Sequence, residues 1–128
     1  VSLLNRMIVT RAEVLRLLLD WEAGRVSAAE VHGWAERRYA VADRQPEDEA
    51  VNEVLACLDM LDVDLIVSAD VPALRRLLES TPARLPEALN EYEAYVESID
   101  MLRRRQELAG DPLYGPFCKS IGALRDSL

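Results

Sequence analysis

Residues 10–39 read TRAEVLRLLLDWEAGRVSAAEVHGWAERRY, and this stretch decides the fold class. Thr10 stands three residues before Glu13, and Ser27 stands three before Glu30. In each pair the hydroxyl can accept a first-turn backbone N–H while the carboxylate reaches back, so each pair marks a helix start. After the first, Val14, Leu15, Leu18 and Trp21 recur at helical spacing and make one apolar face. Gly24 stands where that helix should end, because glycine takes left-handed backbone at no steric cost. After the second, Val31, Trp34, Ala35 and Tyr39 make the next face. Two capped amphipathic helices joined by so short a turn predict an αα-hairpin.

The helical pattern continues beyond the hairpin. Residues 41–47 read as a loop, and a third helix is expected from Pro46 or Glu47 with Val51, Val54, Leu55, Leu58 and Leu61 inward. Asp62 to Val67 alternates like a strand. No second strand-like run is there to pair with it, so it reads as an extended connector. Ser68 or Asp70 then caps a fourth helix that tolerates Pro72 in its first turn and is stopped by Thr81-Pro82. A long helix is expected over about 86–109, ended by Gly110-Asp111-Pro112. At 1.5 Å per residue it would be about 36 Å long. The apolar tail Leu113–Phe117 is expected to be irregular and to fold back, with a short helix through Ile121 and Leu124. The predicted fold class is all-α: a bundle of four to five helices, with a long helix in the C-terminal half and an irregular tail. It occupies one domain over residues 1–128, with 1–9 and 119–128 fraying.

Half of the 128 residues are apolar and 30% are charged, a balance that lets one core stand without staples. The longest apolar runs, such as Leu17-Leu18-Leu19, fall far short of the ~20 residues a membrane span needs. Residues 1–6 show no apolar signal region, so a cytoplasmic protein is expected. Cys57 and Cys118 do not make a disulfide framework. Cys57, beside Val54, Leu58 and Leu61, reads as a buried free thiol.

The net charge is −8, and residues 43–70 hold the whole imbalance. Nine acids lie there against Arg44 alone: Asp43, Glu47, Asp48, Glu49, Glu53, Asp59, Asp62, Asp64 and Asp70. Glu47, Asp48 and Glu49 suit a helix start, where the dipole favours anions. Asp59, Asp62 and Asp64 come at a helix end, where it does not. The stretch therefore reads as a surface that attracts a basic protein partner and speeds encounter with it. An acidic chain repels phosphate, which disfavours direct nucleic-acid binding, and none is expected. No membrane partner is expected. Tyr95, beside Glu93 and near Glu91, is expected to face outward as an aromatic contact. Arg103-Arg104-Arg105 suits a helix C-terminus, and it can pair with the acidic stretch inside the molecule or in a homodimer.

Catalytic signatures are sparse. His32 is the one histidine, the five glycines form no phosphate loop, and no Cys/His zinc pattern occurs. Asp59-x-x-Asp62-x-Asp64 lacks the glycine and terminal glutamate of a calcium loop. No catalytic residue, metal or cofactor is expected. An enzyme would have to draw His32 or the Asp59–Asp64 acids into one pocket.

Residues 14–39 also resemble a pattern in bacterial immunity proteins of the colicin D type. A leucine-rich helix (Leu15, Leu18, Leu19) runs into a short turn, a Ser27-Ala28-Ala29-Glu30 helix start, then Trp34 and the Arg38-Tyr39 end. The resemblance implies a small, acidic, helical protein that blocks a basic nuclease toxin by filling its substrate cleft. It covers about a fifth of the chain and carries over no toxin-contacting residue. The expected function is a non-catalytic bacterial binding protein, in its concrete form an immunity-type inhibitor acting through the acidic surface. The alternatives are a homo-oligomeric or adaptor helical module, and a small enzyme using His32 or the Asp59–Asp64 acids.

Overall fold

The expected hairpin forms as α1 (Arg11–Glu22) and α2 (Ala28–Tyr39) in a computed structural model that describes residues 8–41 and 44–118. At Ser27 both arms of the capping box close: Glu30 donates its N–H to Ser27 Oγ at 3.1 Å, and Ser27 donates its own to Glu30 Oε1 at 3.2 Å. At Thr10 only the hydroxyl arm forms, accepting the Glu13 N–H at 3.1 Å. Gly24 has φ +78°, and the N–H groups of Gly24 and Arg25 close the end of α1 on Trp21 and Asp20 carbonyls.

α3 (Glu49–Asp59) packs on α2, and α4 (Val71–Leu78) packs on α1, α3 and the next helix, α5 (Leu85–Glu97). Its central place suits α4: Val71, Ala73, Leu74, Leu77 and Leu78 are all buried. Each large apolar side chain so buried stabilises the fold by roughly 1.5–3 kcal/mol. They meet Val14, Leu18, Trp21, Val31, Val51, Leu55 and Leu58 in one core. The all-α class stands.

Ahead of the tail, the structure departs from the sequence-based expectations at five points. The expected fraying of 1–9 does not extend to Ile8–Val9 (β1), which pair in parallel with Gln45–Pro46 (β2). Two residues are too few to show alternation; Val9 is buried, and its carbonyl accepts the Glu47 N–H at 2.8 Å. α3 begins at Glu49, later than Pro46 or Glu47, because Asp48 accepts the Val51 N–H at 3.0 Å and caps it. The 62–67 stretch is no extended connector. The chain turns on past α3 until Leu65, at φ +56°, and the Ile66 N–H closes on the Leu61 carbonyl at 2.9 Å. Holding a leucine there costs about 1 kcal/mol, offset by its burial. Asp70 does not cap α4; its carboxylate turns back to the Val67 N–H at 2.8 Å, across the 3-10 turn Ser68–Asp70.

The fifth point is the long helix expected over 86–109. It breaks after Glu97, and α6 (Met101–Leu108) begins anew. Ser98 donates its hydroxyl to the Tyr95 carbonyl at 2.5 Å, and Asp100 caps α6 through the Arg103 N–H at 3.1 Å. Both residues compete with the helix for backbone groups. The tail does fold back: Tyr114 is buried and donates its hydroxyl to the Ile66 carbonyl at 2.5 Å. It is not wholly irregular, since residues 115–118 are helical. The helix expected through Ile121 and Leu124 lies outside the described residues.

Candidate functional site: an acid-rimmed pocket beside Cys57

The break between α5 and α6 has a spatial consequence. It turns the chain around a pocket of about 380 Å³ that α3 and the 60–70 connector close from the other side. α3 contributes Cys57 and the connector contributes Asp64, Ile66 and Asp70. α5 contributes Tyr92, Tyr95 and Val96 with Glu93 and Glu97, and the break supplies Ile99 and Met101. Apolar surface predominates in the walls, while Asp64, Glu93 and Glu97 stand on exposed positions.

One wall is fixed by a buried charge. Asp70 is 2% exposed, and Arg104 of α6 grips it with two N–H groups at 2.8 and 3.2 Å. Tyr95 donates its hydroxyl to Asp70 Oδ1 at 2.5 Å, and Arg104 also donates to the Leu65 carbonyl at 3.1 Å. Two donors of one guanidinium on one carboxylate make a strong, geometrically specific pair. This clasp ties α6 and α5 to the connector. Burial and the hydrogen bond to Asp70 push the Tyr95 phenol above its usual range.

The pocket is also lined by a thiol, Cys57, and a second phenol, Tyr92. Burial, with Glu53 and Asp64 nearby, pushes the Cys57 thiol up to about 11, against the help of a Tyr92 hydrogen bond. Burial likewise raises the Tyr92 phenol. Both shifts favour the protonated, neutral forms of these two groups. Tyr92 and Tyr95 stand with ring centroids 6.4 Å apart and planes tilted by 35°. Burial raises the Asp64 carboxyl, and the Asp62 charge adds to it.

The structure divides the nine acids of the 43–70 stretch. Asp43 lies outside the described residues. Glu47 and Asp48 are both paired with Arg11, at 2.7 Å to Glu47, which stays exposed, and in direct contact with Asp48, which is half-buried. Burial opposes the ionised form of Asp48, but Arg11 and the Val51 N–H outweigh it and hold its pKa below the usual range. Asp62 turns to His32, whose Nε2 lies 3.4 Å from it and 3.0 Å from the Asp59 carbonyl. His32 thereby clasps α2 to the end of α3, and it does not line the pocket where Asp64 stands. Asp59, Asp62 and Asp64 do not come together, and no group of three possible metal ligands occurs among the described residues.

What remains is a smaller set in a new place. Glu49 and Glu53 precede Cys57 at intervals of four, so the three share one stripe of α3. Asp64 continues it at the pocket rim, and Glu93 and Glu97 of α5, also four apart, face it across the opening. None of these five carboxylates has a cation within ion-pair distance among the described residues. Tyr95, expected outside as an aromatic contact, instead points inward at Asp70. Glu93 was expected only as a neighbour of Tyr95, and Glu97 not at all, because α5 was not expected to meet the acidic stretch. Their four-residue spacing was the available signal. No family model matches the chain, and neither a curated protein nor a solved structure does.

Proposed function

We propose that this protein is a non-catalytic binding protein that holds a basic protein partner against the acidic face formed by the α3 stripe, the turn after it and α5. One observation carries the proposal: Asp64, Glu93 and Glu97 line one pocket, Glu49 and Glu53 lie on the α3 stripe that leads to it, and none of the five has a cation within ion-pair distance among the described residues. Like charges so gathered repel each other and weaken the fold, so a partner that neutralises them gains binding energy and steering together. The concrete form of the reading is an immunity-type inhibitor, in which carboxylates occupy a cleft that a basic nuclease reserves for phosphates. The likeness of residues 14–39 to colicin D-type immunity proteins supports that form.

The test is capture on the immobilised protein at low salt, beside a variant in which Glu49, Glu53, Glu93 and Glu97 become Gln and Asp64 becomes Asn. The expected result is a basic protein retained by the first, released by salt, and absent from the second, because screening and neutralisation remove the same attraction. If a retained protein is a nuclease, its activity should fall on stoichiometric addition of this chain. Equal retention by both proteins sinks the reading.

A further inference from the structure

The pocket poses a separate question, because its volume exceeds what a flat electrostatic contact requires. At about 380 Å³ it falls in the size range of small-molecule sites, roughly 300–1,000 Å³. Ile66, Val96, Ile99 and Met101 give it apolar walls. The rings of Tyr92 and Tyr95 border it, and aromatic faces attract cations. Its charged groups are of one sign. Asp70 is neutralised by Arg104 at 2.8 Å, which leaves Asp64, Glu93 and Glu97 around the opening. An anion is excluded by this rim, and a neutral apolar molecule would leave the rim charges uncompensated.

We infer that this pocket is a binding site for a small organic cation, an ammonium or guanidinium carried on an alkyl or aryl body, with the body on Val96, Ile99 and Met101 and the charge among Asp64, Glu93 and Glu97. The Tyr92 and Cys57 side chains border the ligand and take no part in chemistry. This inference does not rest on the protein-partner reading, since a free small molecule can fill the pocket whether or not a basic protein docks on the face around it.

Three probes of one shape test it: 4-phenylbutylamine, 4-phenylbutanol and 4-phenylbutanoate, titrated calorimetrically into the full chain at low and at moderate salt. The amine should bind at least ~10-fold tighter than the alcohol, and the carboxylate should not bind, a factor of ten being the ~1.4 kcal/mol of one charge-assisted contact. The triple variant D64N/E93Q/E97Q should bind amine and alcohol alike. Val96→Trp, or Met101→Trp where the first does not fold, should fill the cavity and abolish binding of both. The amine should also slow thiol labelling of Cys57, read by peptide mass, and leave Cys118 labelling unchanged. Equal binding of amine and alcohol to the unaltered protein overturns the inference, and so does amine binding that survives the tryptophan. Amine binding without capture of any basic protein sinks the partner reading alone. Capture that survives the tryptophan, with no amine binding, sinks this inference alone.

Discussion

Asp70 concentrates the structural risk of the molecule in a single side chain. A buried carboxylate is tolerable only while its partners hold, and here Arg104, Tyr95 and the Val67 N–H all do. Removing one partner of a buried ion pair typically costs about 3–5 kcal/mol, because the other charge is left uncompensated. Asp70→Asn should therefore destabilise the protein by about 3 kcal/mol, a fall on the order of 10 °C in Tm by thermal melt. A loss under 1 kcal/mol would mean that water already shares the clasp. Cys57 makes a kinetic prediction. With its thiol pushed up to about 11, it should label about 100-fold slower at neutral pH than an unperturbed thiol, with a rate that climbs steadily as pH rises toward that value. A rate that levels off near pH 8 would place the thiol in open solvent.

At the scale of elements, the two helix starts differ in a way that mutation can read. Ser27 closes both arms of its capping box, while Thr10 closes one. Glu30→Ala, which removes the returning arm at Ser27, should cost about 0.5–1 kcal/mol and Glu13→Ala, which removes no such bond, about half that or less, measured by urea denaturation. Equal costs would show that the returning Glu30 arm contributes nothing. The same helix starts explain why the hairpin was legible: Thr10, Ser27 and Gly24 act on their own neighbours, so short-range chemistry is enough. Asp70 and the 98–100 break were not legible for the opposite reason. Asp70 reads as a helix cap until Arg104, 34 residues away, claims its carboxylate. Ser98 and Asp100 read as tolerable helix residues until the chain must turn so that α6 brings Arg104 to the connector. The pocket shares that origin, since its walls come from segments joined only by the fold. The acidic stretch was legible as composition, but which acids stay uncompensated depended on Arg11 and Arg104.

At the scale of the whole molecule, the charge distribution sets stability against binding. Asp64 has a carboxyl raised by burial and by Asp62, so the folded state takes up its proton more readily than the unfolded chain does. The sign follows from linkage. Stability falls as pH rises from the unfolded value, about 3.9, through the raised folded one, and the cost persists at neutral pH. Asp64→Asn removes that cost, so it should raise Tm at pH 7 in low salt. The gain should shrink in 1 M salt, where the Debye length is about 3 Å, and vanish below pH 3, where the carboxyl is protonated in both states. Melts at both salts and both pH values check this, and a variant less stable than the parent at pH 7 would mean that Asp64 has a stabilising partner in the fold. Glu93 and Glu97 line the same opening. A bound cation offsets all three at once, which couples occupancy to pH: affinity for the amine should rise through the window in which Asp64 loses its proton. A chain that keeps carboxylates unbalanced at neutral pH gives up stability that Asn and Gln would restore, and a site for a cation is the use of that arrangement that also explains the apolar cavity behind it.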